Sequence, residues 1–155
     1  MSAPIPSPLR STLAVLAGFG LNWFLAGAGA GMLAALFPEH FPPAPADGTP
    51  PAPSTLGLVL VTATFSANAL LAGVLAGRIA SYAPVVHAGI LAGVFGLLAL
   101  WGLDQARGQP GLFALAFVGL PPLFAVLGGL VAQRAAKRRD ARTPRIVSER
   151  IPPVG

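Results

Sequence analysis

Very few side chains in this sequence could do chemistry within its long apolar stretches. They are two asparagines, Asn22 and Asn68, one histidine, His87, and the proline pair Pro121–Pro122. No Asp, Glu, Lys or Arg lies deep in any of those stretches. A proton relay inside a membrane needs an acid, and none is present there. A metal site needs several ligands, and His87 has no second histidine or acid in the apolar stretches, since His40 lies in a proline-rich segment. The chain has no Cys, which excludes disulfides, thiol catalysis and thiolate-bound metal. No nucleophile is placed beside a base, so no catalytic, cofactor-binding or metal-binding residue is predicted, and the expectation is a non-enzymatic protein.

The elements that carry these residues follow from composition. Apolar residues are 54% of the 155 and charged residues 10%. An ordinary soluble domain carries about 25% charged residues, and so little charge could not cover a water-facing surface. A bilayer removes that requirement. Four runs without charge are long enough to cross it, since about 20 apolar residues span the hydrocarbon core. They cover about residues 11–37, 54–77, 85–103 and 111–133. Residues 1–10, with three prolines, read as a short extended tail. Residues 38–53 hold seven prolines and read as a loop, because proline lacks an amide hydrogen and breaks regular helix. Residues 134–155 form a basic tail, through which the fourth helix can continue as far as Pro144. The predicted fold is all-α: a four-helix transmembrane bundle in one domain.

Orientation follows from the Lys and Arg count between spans. With the amino terminus inside, the inner segments hold Arg10, Arg78, Arg134, Lys137, Arg138, Arg139, Arg142, Arg145 and Arg150, and the outer ones only Arg107. Both ends are thus expected in the cytoplasm and the proline-rich loop outside. Arg10 and the run after it have some character of a cleaved signal, but the run continues to Phe37, longer than a signal core.

Depth counting places Asn22 and Asn68 near the bilayer midplane on consecutive antiparallel helices. A hydrogen bond between them would contribute about 0.6–2 kcal/mol. The alternative is that both line a path for a small solute. Pro121 and Pro122 kink the fourth helix and free the carbonyls of Phe117 and Val118, for which the asparagines are candidate donors. Such an interruption occurs at binding sites in some transporters. His87 is expected to bond a neighbouring carbonyl or to reach toward the interface.

Small residues recur at fours: Gly27 and Gly31, then Ala69, Gly73 and Gly77, then Gly89 and Gly93, then Ala125 and Gly129. Such stripes let helices approach closely within the bundle or between proteins. Residues 19–31 and 65–77 agree at seven of thirteen positions, including the Phe and the Asn, as in a one-helix inverted repeat. In the tail, Arg134, Lys137, Arg138, Arg139 and Arg142 are expected to meet anionic lipid headgroups. Without interleaved aromatics, nucleic acid is not an expected partner.

The residues AGVLAGRIA (Ala72–Ala80), a short turn and His87–Ala88 resemble a segment of uncharacterised small bacterial four-span membrane proteins. The resemblance covers about 20 residues and implies the four-span layout and a bacterial cytoplasmic membrane, but no activity. Small multidrug-resistance transporters share the span number, yet their membrane-embedded Glu in the first helix has no counterpart here. The leading expectation is a non-enzymatic structural or partner-binding membrane component, associating with itself or with other membrane proteins. The alternative is a small transporter or channel subunit with a polar path near Asn22 and Asn68.

Overall fold

The computed structural model describes residues 7–42, 54–80, 82–105 and 111–142. Four α-helices account for nearly all of the described residues: α1 (Ser7–Leu36), α2 (Thr55–Ala80), α3 (Pro84–Gln105) and α4 (Gly111–Arg142). Each is long and apolar enough to cross a membrane. The fold is all-α, and its four apolar helices fit a multi-pass integral membrane protein. Most of the proline-rich loop and the basic residues Arg107, Arg145 and Arg150 lie outside the described residues.

Helix limits differ from the uncharged runs where charge, rather than backbone, marked the boundary. The segment read as an extended tail is already helical from Ser7. Pro8 is tolerated there because a first-turn residue needs no amide donor, and Thr12 Oγ1 donates to the Pro8 carbonyl at 3.1 Å. The α2 helix passes through Arg78 and ends at Ala80. The α4 helix carries 32 residues, about 48 Å at 1.5 Å each. That exceeds a hydrocarbon core of about 30 Å, so a substantial basic extension projects beyond it. Both Pro121 and Pro122 sit inside this helix without ending it.

The α2 helix is central and packs against all three others, while α1 and α4 lie to either side of it without approaching each other. Its position follows from its small residues. Gly73 meets the Ala125 backbone of α4 so closely that a Cβ would collide with it. Gly128 meets the backbone of Leu70, Gly73 and Val74 in the same way. Only glycine permits such contact, and backbone-to-backbone approach is what holds helices together where no hydrophobic effect drives them. The core around this seam is Ala69, Ala72, Ala76, Leu91, Ala92, Phe95 and Ala125. The Ala69–Gly73–Gly77 and Ala125–Gly129 stripes are therefore used within the bundle. The Gly27–Gly31 and Gly89–Gly93 stripes are not: a Cβ at any of these four glycines would meet nothing within 4 Å.

Candidate functional site

The two ends of the bundle differ in chemistry. At the end where α1 begins and α2 meets α3, polar groups close the structure. The Arg10 Nε–H donates to the Ile79 carbonyl at 2.6 Å, one of the carbonyls left open at a helix C-terminus, where a cation is also favoured. Ser11 Oγ is in hydrogen-bond contact with Tyr82 Oη. His87 Nδ1 lies 2.8 Å from the Ala83 carbonyl. A carbonyl only accepts, so Nδ1 carries the proton and Nε2 is left as an acceptor facing Tyr82 Oη at 3.4 Å. The Tyr82 and His87 rings meet edge to face with centroids 5.3 Å apart. His87 is buried and its polar atoms brace the α2–α3 turn, which Tyr82 and Ile79 in turn join to Ser11 and Arg10 at the start of α1.

At the opposite end, Ser54 caps α2. Its Oγ accepts the Gly57 N–H at 3.1 Å, satisfying one of the open amides of the first turn. The same oxygen lies 2.8 Å from His40 Nδ1, and the Ser54 N–H donates to the His40 carbonyl at 3.3 Å. The two ends of the proline-rich connection are thereby clasped together. Glu39 flanks His40 Nε2 at 3.5 Å.

Asn22 and Asn68 are both buried, each 8% exposed. They face the interior, as expected, but no hydrogen bond joins them. Asn22 Oδ1, an acceptor, and Asn68 Nδ2, a donor, are each enclosed without a partner, so the expected interhelical bond is not formed, and Asn68 Nδ2 donates to no carbonyl of α4. The helix register explains the miss. Gly18 lies against Ala72 and Ala76, and Gly29 lies against Thr64, with Asn68 Nδ2 4.0 Å from where a Gly29 Cβ would be. Asn68 Nδ2 thus lies near Gly29, a turn or more beyond Asn22 along α1. Side chains on a helix also tilt toward their own N-terminus. On antiparallel helices these two amides therefore lean apart. Counting residues from the run ends could not detect either effect.

Asn22 instead borders a cavity of about 470 Å³ formed by all four helices. Asn68 is not among the residues lining it. Nearly half of the lining residues are aromatic: Phe19 and Trp23 from α1, Phe65 from α2, Phe95 and Trp101 from α3, and Phe117 from α4. The lining uses both tryptophans and four of the nine phenylalanines in the chain. The Phe19 and Trp23 rings stack at 6.0 Å, and Phe65 and Phe117 meet at 5.6 Å. Pro121 also borders the space. Because it has no N–H, the Phe117 carbonyl one turn earlier lacks its usual helical donor. Pro121 thus forms part of the cavity wall, while Pro122 packs toward α3, 3.8 Å from where a Gly96 Cβ would lie.

These aromatic residues were not singled out from sequence. Their spacing on each helix resembles ordinary lipid-facing or core spacing, and their convergence depends on how four helices pack. The four-apart pair Phe19 and Trp23 is visible in sequence, but not what it faces. The hydroxyls of Thr62 and Ser66, also passed over, donate to carbonyls one turn back at 2.9 and 2.8 Å and are satisfied within α2.

Arg134, Lys137, Arg138 and Arg139 are exposed on the last turns of α4. Arg134, Arg138 and Arg139 border a second hollow of about 410 Å³ with Val131 and Ala135. The side chain of Arg142 lies outside the described residues. No group of three or more His, Cys, Asp or Glu that could hold a metal occurs among the described residues. Comparison with protein-family models, with curated proteins and with solved structures returns no match.

Proposed function

We propose that this protein is a non-enzymatic component of a bacterial cytoplasmic membrane that associates with a second copy of itself through the outward face of α3. One observation carries this reading: Gly89 and Gly93 open onto empty space while the equivalent stripes on α2 and α4 are consumed in the bundle. Around them Val86, Ile90, Leu97 and Leu100 are all more than half exposed. With Gly93 they fall at alternating intervals of four and three along one face, the spacing of a helix–helix seam. A second copy is the simplest occupant, because a two-fold axis sets each stripe against its own equal and requires no other complementary sequence.

Orientation follows the basic residues. Arg10, Arg78 and the end of α4 lie at the same end of the bundle, since Arg10 bonds to Ile79 and Gly77 lies against Pro84 and Ala132. The positive-inside rule then puts that end in the cytoplasm. There Arg134, Lys137, Arg138, Arg139 and Arg142 meet anionic headgroups, each contributing about 1 kcal/mol. Reporter fusions after residue 45 are expected to read external, and fusions after residues 81 and 140 cytoplasmic. A cytoplasmic reading at residue 45 would reverse the orientation.

A transport path through both asparagines has less support, because the cavity takes in Asn22 and leaves out Asn68. Self-association is tested by crosslinking. The chain lacks Cys, so Ile90→Cys supplies a single thiol on the proposed seam. Oxidation in native membranes is expected to give a covalent dimer, and adding Gly93→Leu should lower its yield about tenfold. A Cys at Leu115, exposed on α4, should not crosslink. Equal yields at residues 90 and 115, or none at 90, would refute the interface.

A further inference from the structure

The contacts that clasp the proline-rich connection also set a serine beside a base. Ser54 Oγ lies 2.8 Å from His40 Nδ1, and His40 Nε2 lies 3.5 Å from Glu39 Oε1. The serine oxygen already accepts the Gly57 N–H. Its own hydrogen is then free to be donated, and His40 Nδ1 is the acceptor next to it. A carboxylate only accepts, so the tautomer that suits Glu39 carries its proton on Nε2 and leaves Nδ1 with a lone pair for the serine hydroxyl. A hydroxyl donating to a neutral imidazole whose far nitrogen faces a carboxylate is the arrangement that activates serine as a nucleophile. Reading the sequence found no nucleophile beside a base, because His40 and Ser54 stand 14 positions apart.

Position adds to this chemistry. Ser54 immediately precedes α2. The Thr55 amide, next in the chain, therefore has no intrahelical partner and stands at the positive end of the helix. An N–H one residue after a nucleophile, at the start of a helix, is a donor for the oxyanion of an attacked carbonyl. Ser54 and His40 are half-buried, and Thr55 is exposed. Leu36 and Leu56, close in sequence to Glu39 and Ser54, are exposed apolar residues at the ends of α1 and the start of α2. The site thus sits where the apolar spans give way to the polar zone of a bilayer, which is the level of lipid ester groups.

We propose that Ser54 is an acyl acceptor that takes one acyl group from a carboxylic ester at the membrane surface. Ser54 Oγ attacks the ester carbonyl carbon while its proton passes to His40 Nδ1. Glu39 faces the imidazolium so formed, and the Thr55 N–H holds the oxyanion. The bond from the carbonyl carbon to the ester alcohol then breaks, and the proton on Nδ1 goes to the departing alkoxide. The products are an O-acyl serine and a free alcohol, and no further reactant is needed. One acyl group per chain is a modification and not a turnover, so it is compatible with a non-enzymatic component. The site lies within one chain and does not depend on self-association.

The experiment incubates the full chain in lipid nanodiscs with para-nitrophenyl decanoate, an ester that partitions into bilayers, and locates acylated residues by tandem mass spectrometry. The decanoyl group is expected on Ser54, with one equivalent of nitrophenolate released per chain. Ser11, whose Oγ contacts Tyr82 Oη instead of a histidine, is the reference within the same molecule. It should react about a hundredfold more slowly, the effect of lacking a positioned base. His40→Gln can still hydrogen-bond Ser54 but cannot take its proton, and should slow Ser54 by a similar factor. Acid medium should slow it too, because a protonated imidazole has no lone pair to accept with. Helical circular dichroism checks that the variant is folded, and the comparison of Ser54 with Ser11 on the unaltered chain decides the matter even if it is not. Acylation of Ser54 no faster than of Ser11, or unchanged in folded His40→Gln, would overturn the proposal. Nitrophenolate release continuing beyond one equivalent would overturn it in favour of ester hydrolysis.

Discussion

Gly128→Val is expected to prevent the bundle from assembling. A Cβ at residue 128 would lie 2.8 Å from the Val74 nitrogen and 3.0 Å from the Gly73 carbonyl carbon, and closer still to the Leu70 carbonyl oxygen. All three are backbone atoms, so no side chain can turn aside to make room. The α2 and α4 helices would have to separate along the seam that carries most of the core. Overpacking ordinarily costs about 1–3 kcal/mol and more where nothing can yield; here more than about 3 kcal/mol is expected. Gly20→Ala, on α1 and away from the proposed α3 face, is the control. A Cβ there meets nothing within 4 Å, and Ala is the better helix former by about 0.5–1 kcal/mol, so stability should stay level or rise. Unfolding by SDS in mixed micelles, followed by far-ultraviolet circular dichroism, measures both. Wild-type stability for Gly128→Val would show that the helices do not approach as described.

The asparagines give the second large effect, of opposite sign. Were Asn22 and Asn68 bonded to each other, replacing either with Leu would destabilise the bundle, and the double replacement would cost less than the sum. The structure leads to a different expectation. Asn22 Oδ1 and Asn68 Nδ2 are each enclosed without a partner, and an unpaired buried group costs about 1–3 kcal/mol. Removing it should leave stability unchanged or raise it by up to about 2 kcal/mol at each site. Because the two amides share no bond, their effects should add to within about 0.5 kcal/mol. The same SDS titration on the two single variants and the double variant decides the matter. A loss of more than about 1 kcal/mol in either single variant, or strong non-additivity, would restore the paired arrangement.

Sequence reading reached the helices far more reliably than the site, for reasons visible in particular residues. The four spans follow from the absence of charge over long runs, which is a local property. Their ends were less legible, because Arg10 and Arg78 were treated as boundaries although both sit within helices. An arginine can lie inside a helix while its long side chain reaches the interface or, as Arg10 does, a carbonyl of the neighbouring helix. The interior placement of Asn22 and Asn68 was legible too, since an amide in a membrane avoids lipid. Their partners were not. The expected bond assumed equal depth, and a register different by a turn or more moves the side chains out of reach.

Composition and charge spacing therefore determined that this chain forms four apolar helices, with Arg10, Arg78 and the basic residues of the α4 end brought to one end, because those features depend only on what each segment can expose to lipid. Packing alone decided the rest. The stripe of small residues recurs on all four helices, yet only α2 and α4 bring theirs into mutual contact, and the stripes of α1 and α3 stay open. The aromatic cavity likewise arises because α1 and α4 stand apart on either side of α2, leaving a space that rings from four separate segments enclose. Which face a helix turns inward depends on the contacts of every other helix, and no single segment carries that information.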